Sequence, residues 1–472
     1  MINEQMILSA KTKAKVQTER ERMLEAAIAI DFYNGRTSYH MQEVLRYVYP
    51  HTYQDIERHL ATSDLTRSII NKLGSLFIAP PECDIFKGND QMEKLNEQFK
   101  QMLADAEFHK KLIAADRFSE LVRKVGIVPR WHSADNRVVL DIITPDICTV
   151  EVDPEDPTKA IAVYYQIGQD QDTWQNKPVN IFGKWTKDSY SRVEMNDDLK
   201  PIKTIPGSEV PNVYGAIPIV WFCTLIETNS FWVEHGYPVV MGNVDVNIQE
   251  TDFRVGMSYQ ALALLAAKGL DPSKDIVMGA TRIVHLPDET ETAQQSNSML
   301  EYITPNTDLK AIQEIINNNK VAIAKEAGLS SEAFSQDTAN ITSGYQLKLT
   351  ERSILENNDL KKEIFRPEIV KLLKYMMICQ NTSTGTEKMA YPKDTEIYFN
   401  YMSKDIPTSP MEKTQNQANE KALGTKSTPD LIRENNPSLT QEDAIAEAQR
   451  IKAEETALSG GRGITLQDLE AE

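Results

Sequence analysis

Residues 238–269, PVVMGNVDVNIQETDFRVGMSYQALALLAAKG, decide how the rest of the chain is understood. Apolar side chains recur in this stretch at steps of three and four residues, which is the spacing of one face of an α-helix. That face comprises Val240, Val244, Ile248, Val255, Tyr259, Leu262 and Ala266, and the other side holds Asp245, Asn247, Glu250, Asp252 and Arg254. The pattern predicts an amphipathic helix that ends at Gly269.

A second helix follows after an insert. Asn306 or Thr307 can cap this helix, which runs to Ala327 and is closed by Gly328. The insert between the two helices offers two short strands, Ile276–Met278 and Arg282–Leu286. The following residues, 329–341, have no clear period and predict a loop.

A third helix, capped by Thr342 or Ser343, could continue to Gln380. Its length would be roughly 57 Å, which is too long for an ordinary globular core. The polar cluster Asn357–Asp359 and Pro367 interrupt it, and proline removes a hydrogen-bond donor and bends the preceding turn. We therefore expect a kinked helix.

The first half of the chain mixes helices with strands. Helical patterns cover residues 19–30, which halt at Asn34–Gly35, then residues 64–78 with Asp64 as a cap, and roughly residues 91–124. Strand patterns occupy Cys83–Phe86, Gly126–Trp131, Arg137–Ile143, Cys148–Val152, Ala160–Ile167, Val179–Phe182, Ser191–Glu194 and Tyr214–Phe222. One more strand, Thr395–Asn400, follows the long helix, and Ser427–Pro429 starts another helical segment. The predicted fold class is α+β and predominantly helical.

The bulk composition is that of a soluble protein with two or three cores. The 472 residues are 41% hydrophobic and 25% charged. Cys83, Cys148, Cys223 and Cys379 are scattered without a CxxC pair, so buried free thiols are expected rather than a disulfide frame or a zinc site. The first residues lack the apolar core of a signal peptide, and no run approaches the ~20 residues that span a bilayer. We expect a chain made in the cytoplasm, with no membrane partner.

The charge balance argues against a sequence-reading DNA binder. The formal net charge is −18, and the Lys and Arg residues are dispersed, whereas a face that grips DNA is usually basic. Two explanations stay open. The acidic balance can serve solubility alone, or it can belong to a surface past which DNA slides.

The sequence gives no positive case for an enzyme. GxGxxG, HExxH, GxSxG and complete phosphate-loop patterns are absent, and the seven histidines lack metal-ligand spacing. Asp153–Pro157 is acidic but has neither the glycine nor the terminal glutamate of a calcium loop. No cofactor, metal or catalytic residue is therefore expected.

A set of landmarks in a fixed order resembles the portal proteins of tailed bacteriophages, of the type found with long non-contractile tails. The landmarks are Asp31–Gly35, Ser68–Leu76, Val213–Val220, Ile303–Asp308, Thr342–Lys348 and Ser427–Ile432 with Asn436–Pro437. Each is weakly specific alone, and together they cover nearly the whole chain.

The resemblance implies a ring of about twelve subunits at one capsid vertex, with DNA passing through its centre. It implies a virion protein that assembles with scaffold protein and the major capsid protein. This protein would bind the terminase large subunit first and the head–tail connector later. The implied regions are a wing (1–237), stem helix 1 (238–268), a clip (269–305), stem helix 2 (306–328), a tunnel loop (329–341), a long kinked helix returning to the wing (342–410), crown helices (411–457) and a flexible acidic tail (458–472).

The resemblance also assigns candidate site residues. The stem would place Asp245, Ile248, Glu250, Asp252 and Val255 at ring contacts or at the bore. The clip would place Arg282, His285, Asp288 and Glu289 against the motor or adaptor. The tunnel loop would present Ser330, Ser331, Glu332, Ser335, Gln336, Asp337, Thr338 and Asn340 to double-stranded DNA.

The residues themselves are compatible with this assembly. A pair of amphipathic helices cannot bury its apolar stripe alone, and neighbouring copies in a ring would cover it. A loop without Lys or Arg holds phosphate weakly, as suits DNA that slides. Two alternatives remain: another ring-forming head or tail adaptor or scaffold of a virus, and an enzyme with an unrecognised site, such as a nuclease acting in packaging.

Overall fold

The computed structural model describes the chain over residues 19–87, 90–171, 178–196, 199–225, 230–233, 237–261, 264–268, 299–303, 308–330, 352–383, 390–402, 417, 427–435 and 441–459. The chain forms two compact units, residues 1–336 with 351–404, and residues 337–350 with 405–472. None of the described helices is long and apolar enough to cross a membrane.

The first unit combines helices with antiparallel sheets, so its class is α+β. The helices are α1 (Glu19–Asn34), α2 (Thr37–Val48), α3 (Tyr53–Ile56), α4 (Leu65–Leu73), α5 (Glu93–Asp105), α6 (Phe108–Val122), α7 (Pro238–Ala261), α8 (Leu309–Glu326) and α9 (Arg352–Ser383). The strands are β1 (Glu82–Lys87), β2 (Asp90–Gln91), β3 (Lys124–His132), β4 (Arg137–Ile143), β5 (Cys148–Val152), β6 (Ala160–Gln171), β7 (Pro178–Thr186), β8 (Ser189–Met195), β9 (Pro201–Thr204), β10 (Val210–Pro211), β11 (Val220–Cys223), β12 (Leu264–Lys268), β13 (Met299–Ile303) and β14 (Glu396–Asn400).

Local signals place several of these elements where the sequence predicts them. Helix α1 ends at Asn34, and Gly35 adopts a φ of +78°, a left-handed turn that glycine makes without a Cβ clash. Helix α4 stops at Leu73, five residues before the predicted end. The single helix predicted for 91–124 is two helices, because Glu107 has a φ of 51° and breaks the helix between α5 and α6.

The strands form four sheets. Their orders are β14-β1-β2, β11-β3-β4, β10-β8-β7-β6-β5 with β9 on β8, and β12-β13. The predicted strands from 83 to 194 are confirmed, whereas the one predicted for 214–222 is reduced to the four residues of β11. Strand β14 pairs with β1 in the register Ile85↔Ile397, so residues far apart in sequence share one sheet.

The largest core lies between sheet β11-β3-β4 and helices α6 and α9. The second half of α9 contributes fully buried apolar side chains, among them Phe365, Ile369 and Leu372. Phe365 meets Phe222 of β11 edge-on, with ring centroids 5.2 Å apart. Helix α9 contains Pro367, as the sequence shows, and continues without interruption to Ser383. The start of the third helix predicted at Thr342 or Ser343 lies outside the described residues.

The four cysteines are buried and form no disulfide, as predicted. Burial raises the pKa of the Cys83 thiol to about 12. The Cys83 thiol is therefore a protonated packing group.

The second unit contains two described helices that pack against each other, α10 (Thr428–Asn435) and α11 (Gln441–Ser459). The backbone N–H of Ser427 donates to Asp430 Oδ2 over 3.0 Å, which closes the first turn of α10. The predicted start at Ser427–Pro429 is confirmed. Of the tail implied at 458–472, residues 460–472 lie outside the described residues.

Candidate functional site

Helices α7 and α8 form an antiparallel hairpin. A Cβ placed on Gly242 would lie 2.8 Å from Ile323 Cδ1, and one on Gly256 would lie 3.8 Å from Leu309 Cδ2. Glycine at position 242 therefore lets the two helices approach closely. Helix α7 has 24 residues and is about 36 Å long.

A two-stranded ribbon lies between the two helices in the chain, with β12 after α7 and β13 before α8. Strand β12 pairs with β13 from Leu264↔Ile303 to Lys268↔Met299. The helix predicted for 238–268 is therefore wrong beyond Ala261, because the run of Leu and Ala that follows finds a partner strand. The predicted cap of the second helix is also wrong: Asp308 Oδ1 accepts the N–H groups of Lys310 and Ala311, each over 3.1 Å. Gly328 closes the helix with a φ of +91°, as predicted.

One candidate residue is used inside the hairpin. Glu250 Oε1 lies 2.5 Å from Lys320 Nζ, and both side chains are mostly buried. The neighbouring amide of Asn319 donates to Gln249 Oε1 over 2.9 Å. Glu250 therefore joins α7 to α8, which corrects its assignment to the same surface as Asp245 and Asp252.

A buried polar seam joins α7 to residues 60–66. Asn243, Asn247 and Thr251 are each 0% exposed and stand one turn apart on α7. Asn243 Oδ1 accepts from Ser63 Oγ over 2.9 Å, Asn247 Oδ1 accepts from Ser63 N over 2.8 Å, and Thr251 Oγ1 accepts from Ala61 N over 3.0 Å. The bonds to Asn247 and Thr251 satisfy the backbone N–H groups of Ser63 and Ala61, and the bond to Asn243 satisfies the Ser63 hydroxyl.

This buried seam corrects the division of α7 into an apolar and a polar side that was inferred from the sequence. Asn247 was assigned to the solvent side, and the structure buries it against the first half of the chain. The available signal was the spacing of Asn243, Asn247 and Thr251, which places three short polar side chains on one face. Short amide and hydroxyl side chains can accept hydrogen bonds from the backbone of another segment in a buried contact. The polarity of these residues alone therefore did not indicate that they are exposed.

The remaining face of α7 carries the other four stem candidates, and we call it the α7 outer stripe: Met241, Asp245, Ile248, Asp252 and Val255. Met241 is 60% exposed, and both aspartates are exposed. Ile248 is half-buried against the core beneath, and Val255 is half-buried as well. The structure therefore brings these four candidates together on one side of the hairpin.

Asp252 also has a contact within the chain. The hydroxyl of Tyr49 donates to Asp252 Oδ1 over 2.6 Å. Burial, together with this bond to a carboxylate, raises the pKa of Tyr49 to about 12. The contact fixes the end of the α2 segment beside the hairpin.

Helix α8 buries little of itself in the chain. Ile316 and Ala324 are its buried residues. One exposed face of the helix carries a row that we call the α8 outer stripe: Ala311, Ile315, Asn318 and Ala322. Ile315 is 57% exposed.

The other site candidates fall largely outside the described residues. Of the tunnel-loop set, Ser330 is described and half-buried. It follows Leu329, which is buried and whose N–H donates to Ala324 O over 2.9 Å. Those outside the described residues are Ser331, Glu332, Ser335, Gln336, Asp337, Thr338, Asn340, Arg282, His285, Asp288 and Glu289.

An ionic cluster near the base of the hairpin was missed from the sequence. Lys361 Nζ of α9 lies 2.8 Å from Asp116 Oδ1 and 2.7 Å from Glu120 Oε1, both on α6, and donates to Leu73 O at the end of α4. The Lys361 and Asp116 side chains are 1% and 0% exposed. Burial raises the pKa of Asp116, and the ammonium of Lys361 opposes that shift.

This cluster links α4, α6 and α9, and its charged groups make structural contacts with one another. Asp116 Oδ2 also accepts the N–H of Leu76 over 2.8 Å, so its oxygens are engaged by a cation and a backbone amide. Across the described residues, no group of three or more His, Cys, Asp or Glu side chains could hold a metal ion.

Comparison with known proteins adds little. No family model matches the chain, and no curated protein matches it. Among solved structures, a chain of the virion of a native gene transfer agent particle aligns at 11% identity and a TM-score of 0.43, over 80% of this chain and 91% of that one. A chain from the neck of an empty gene transfer agent particle, computed with C6 symmetry, aligns at 11% identity and a TM-score of 0.41, over 80% and 92%. Likeness at this level carries no argument about function.

Proposed function

We propose that this chain is a portal protein: a subunit of a ring at one vertex of a viral capsid, through which double-stranded DNA is packaged and later ejected. The observation that carries the proposal is the hairpin of α7 and α8, which is anchored to the chain on one side and exposes apolar side chains on its outer surface. Met241 and Ile315 are 60% and 57% exposed on these outer stripes. Repeated copies in a closed ring would cover both, because a head-to-tail arrangement uses two different surfaces of each subunit.

The negative net charge of the chain is compatible with a channel through which DNA moves. A formal net charge of −18 on the chain disfavours tight retention of phosphate, so DNA would slide rather than stick. The ring of about twelve copies would dock the terminase large subunit during packaging and a head–tail connector afterwards, and it would assemble with scaffold and major capsid protein. These partners follow from the resemblance of the sequence landmarks.

We propose that the chain has no catalysis of its own. The buried carboxylates Asp116 and Glu120 are both paired with Lys361. Purified protein incubated with DNA and Mg²⁺, or with ATP, should show no turnover. Nuclease or ATPase activity that co-purifies with the chain and is lost on its mutation would contradict this part of the proposal.

The decisive experiment is mass measurement and negative-stain imaging of the purified protein. We expect closed rings with a central hole. Ile315→Asp should block assembly, because it would bury an unpaired charge in the ring. Ile202→Asp is a matched control, since Ile202 is 65% exposed on β9, a strand of the sheet that pairs with β8. A wild-type protein confined to monomers and dimers, with no ring by imaging, would overturn the proposal.

The tunnel assignment has a separate test. Replacing Glu332 and Asp337 with Lys should leave ring assembly intact and reduce the yield of packaged DNA, because added positive charge retains phosphate. Rings that package DNA as well as the wild type would contradict the placement of this loop at the DNA.

A further inference from the structure

The hairpin of α7 and α8 has two exposed faces on opposite sides. On α8, Ile316 is buried in the core that also contains Val246 of α7. The residues on either side of it, Ile315 and Asn317, are both exposed. Neighbouring residues of an α-helix are turned by roughly 100° from each other, so Ile315 and Asn317 point to nearly opposite sides of the hairpin.

Helix α7 is divided in the same way. Gly256 faces Leu309 of α8, and it lies between Val255, which is half-buried, and Met257, which is 48% exposed. Because the helices are antiparallel, the residues that precede the facing positions lie on one side of the hairpin, and those that follow them lie on the other. The two outer stripes therefore form a single face, which we call the outer face, and Met257 lies on the opposite side.

The opposite side is polar and carries a cation. Its exposed members, which we call the Lys310 face, are Met257, Lys310, Gln313 and Asn317. The charged members of the outer face are Asp245 and Asp252, and both are exposed. The outer face is therefore acidic and partly apolar, whereas the Lys310 face offers an ammonium, two amides and a methionine.

We propose that the outer face of one copy packs on the Lys310 face of the next copy. The inference rests on the proposed ring and adds which surfaces of the hairpin meet. A head-to-tail ring needs two different surfaces on each subunit, and these two lie on opposite sides of the hairpin. The occupant of each face is a second copy, because the same hairpin carries both members of a complementary pair.

The heights of the residues along the hairpin support specific contacts. In a ring whose axis runs along the hairpin, rotation keeps each residue at its own height. Val255 and Met257 differ by about 3 Å along α7, so the valine of one copy would contact the methionine of the next. Asp252 lies about 6 Å along the axis from the level of Lys310, a distance that a lysine side chain spans. Asp252 can bind this lysine as well as Tyr49, because both oxygens of a carboxylate accept hydrogen bonds.

Disulfide formation between two different chains tests which faces meet. One chain carries Val255→Cys and a tag that adds mass, and the other carries Met257→Cys without the tag. The two chains are mixed, assembled into rings and oxidised mildly. A product with the combined mass contains one chain of each kind, so it reports a contact between copies. We expect this product, because the proposed contact brings the two positions within reach of a disulfide.

Each single-cysteine chain assembled alone is the matched control. In a head-to-tail ring, position 255 of one copy does not face position 255 of the next, and the same holds for position 257. Neither control should therefore give a dimer on a denaturing gel. A two-fold contact would bring one position against itself, and it would give a dimer from one chain alone.

Exchange of charges is the second test. Lys310→Glu should raise the concentration needed for half-assembly at least about threefold, because like charges then meet in every seam. Adding Asp252→Lys to the same chain should restore assembly, because the two charges are then exchanged in every seam. Lys325→Glu is the matched control, since this exposed lysine lies two residues after Ile323 and points away from α7.

The outcomes separate this inference from the proposed function. Mixed rings without the combined product, or a dimer from one single-cysteine chain alone, would overturn the seam and leave the ring standing. Lys310→Glu rings that assemble like the wild type, or no recovery when Asp252→Lys is added, would also overturn it. A wild-type chain that forms no ring would overturn both.

Discussion

Removing the ammonium of Lys361 should destabilise the first unit more than almost any other single change of a charged residue. The side chain is 1% exposed, and it is within 2.8 Å of Asp116 and 2.7 Å of Glu120. Lys361→Met keeps the length and the apolar stem but leaves Asp116 buried without its cation. Breaking a buried ion pair in this way costs about 3–5 kcal/mol, because the desolvation of the remaining charge is no longer offset.

The assay is urea unfolding followed by tryptophan fluorescence, with Lys362→Met as the matched control. Lys362 is the next residue and pairs with Asp359 at 2.8 Å, but these side chains are 41% and 72% exposed. Loss of that exposed pair should cost less than about 1 kcal/mol. A second variant, Lys361→Met with Asp116→Leu, should recover part of the loss because no unpaired aspartate is then buried. Equal losses for the Lys361 and Lys362 variants would refute the reasoning.

Three further predictions concern the hairpin, the thiols and alkaline pH. Gly242→Ala should lower the free energy of unfolding by about 1–3 kcal/mol, since its Cβ would press on Ile323, whereas Gly256→Ala has room and should raise it by about 0.5–1 kcal/mol; calorimetry distinguishes the signs. Cys83, with its pKa near 12, should resist iodoacetamide at pH 8 in the folded protein and react after unfolding, as followed by mass spectrometry; rapid labelling of the folded state would contradict its burial. Tyr49 has a folded pKa of about 12 against 10.0 unfolded, so its contribution to stability is full below pH 10 and is lost as pH rises toward 12; the difference in Tm between wild type and Tyr49→Phe should shrink over that range, and a constant difference would contradict the assignment.

The sequence predicts elements whose signals are local. The strands predicted between residues 83 and 194 were identified because alternation of apolar side chains depends on the strand alone. The turn at Gly35 and the closing glycine at Gly328 were identified because each needs a left-handed backbone. The helix predicted to run on to Gly269 failed beyond Ala261, since a Leu- and Ala-rich run is compatible with a helix, and only its pairing with residues 299–303 makes it a strand.

The candidate site was predicted less well, because it depends on what lies opposite each side chain. Asn247 and Glu250 were both assigned to the polar side of α7, and they have different partners in the fold, Ser63 and Lys320. Lys361 gave no signal, because a lysine side chain is usually exposed. Four stem candidates lie together on the α7 outer stripe, while their contact with another copy remains a prediction.

The pairing of β14 with β1 determines when the chain can finish folding during its synthesis. Strand β1 leaves the ribosome more than three hundred residues before β14 does, a delay of roughly 15–60 s at about 5–20 residues per second. During that time, the edge of β1 and the apolar surface that awaits the second half of α9 are open to other chains. Nascent copies made side by side on one messenger are therefore at risk of pairing with each other, and a chaperone that holds the unfinished first half would raise the yield of assembly-competent subunits.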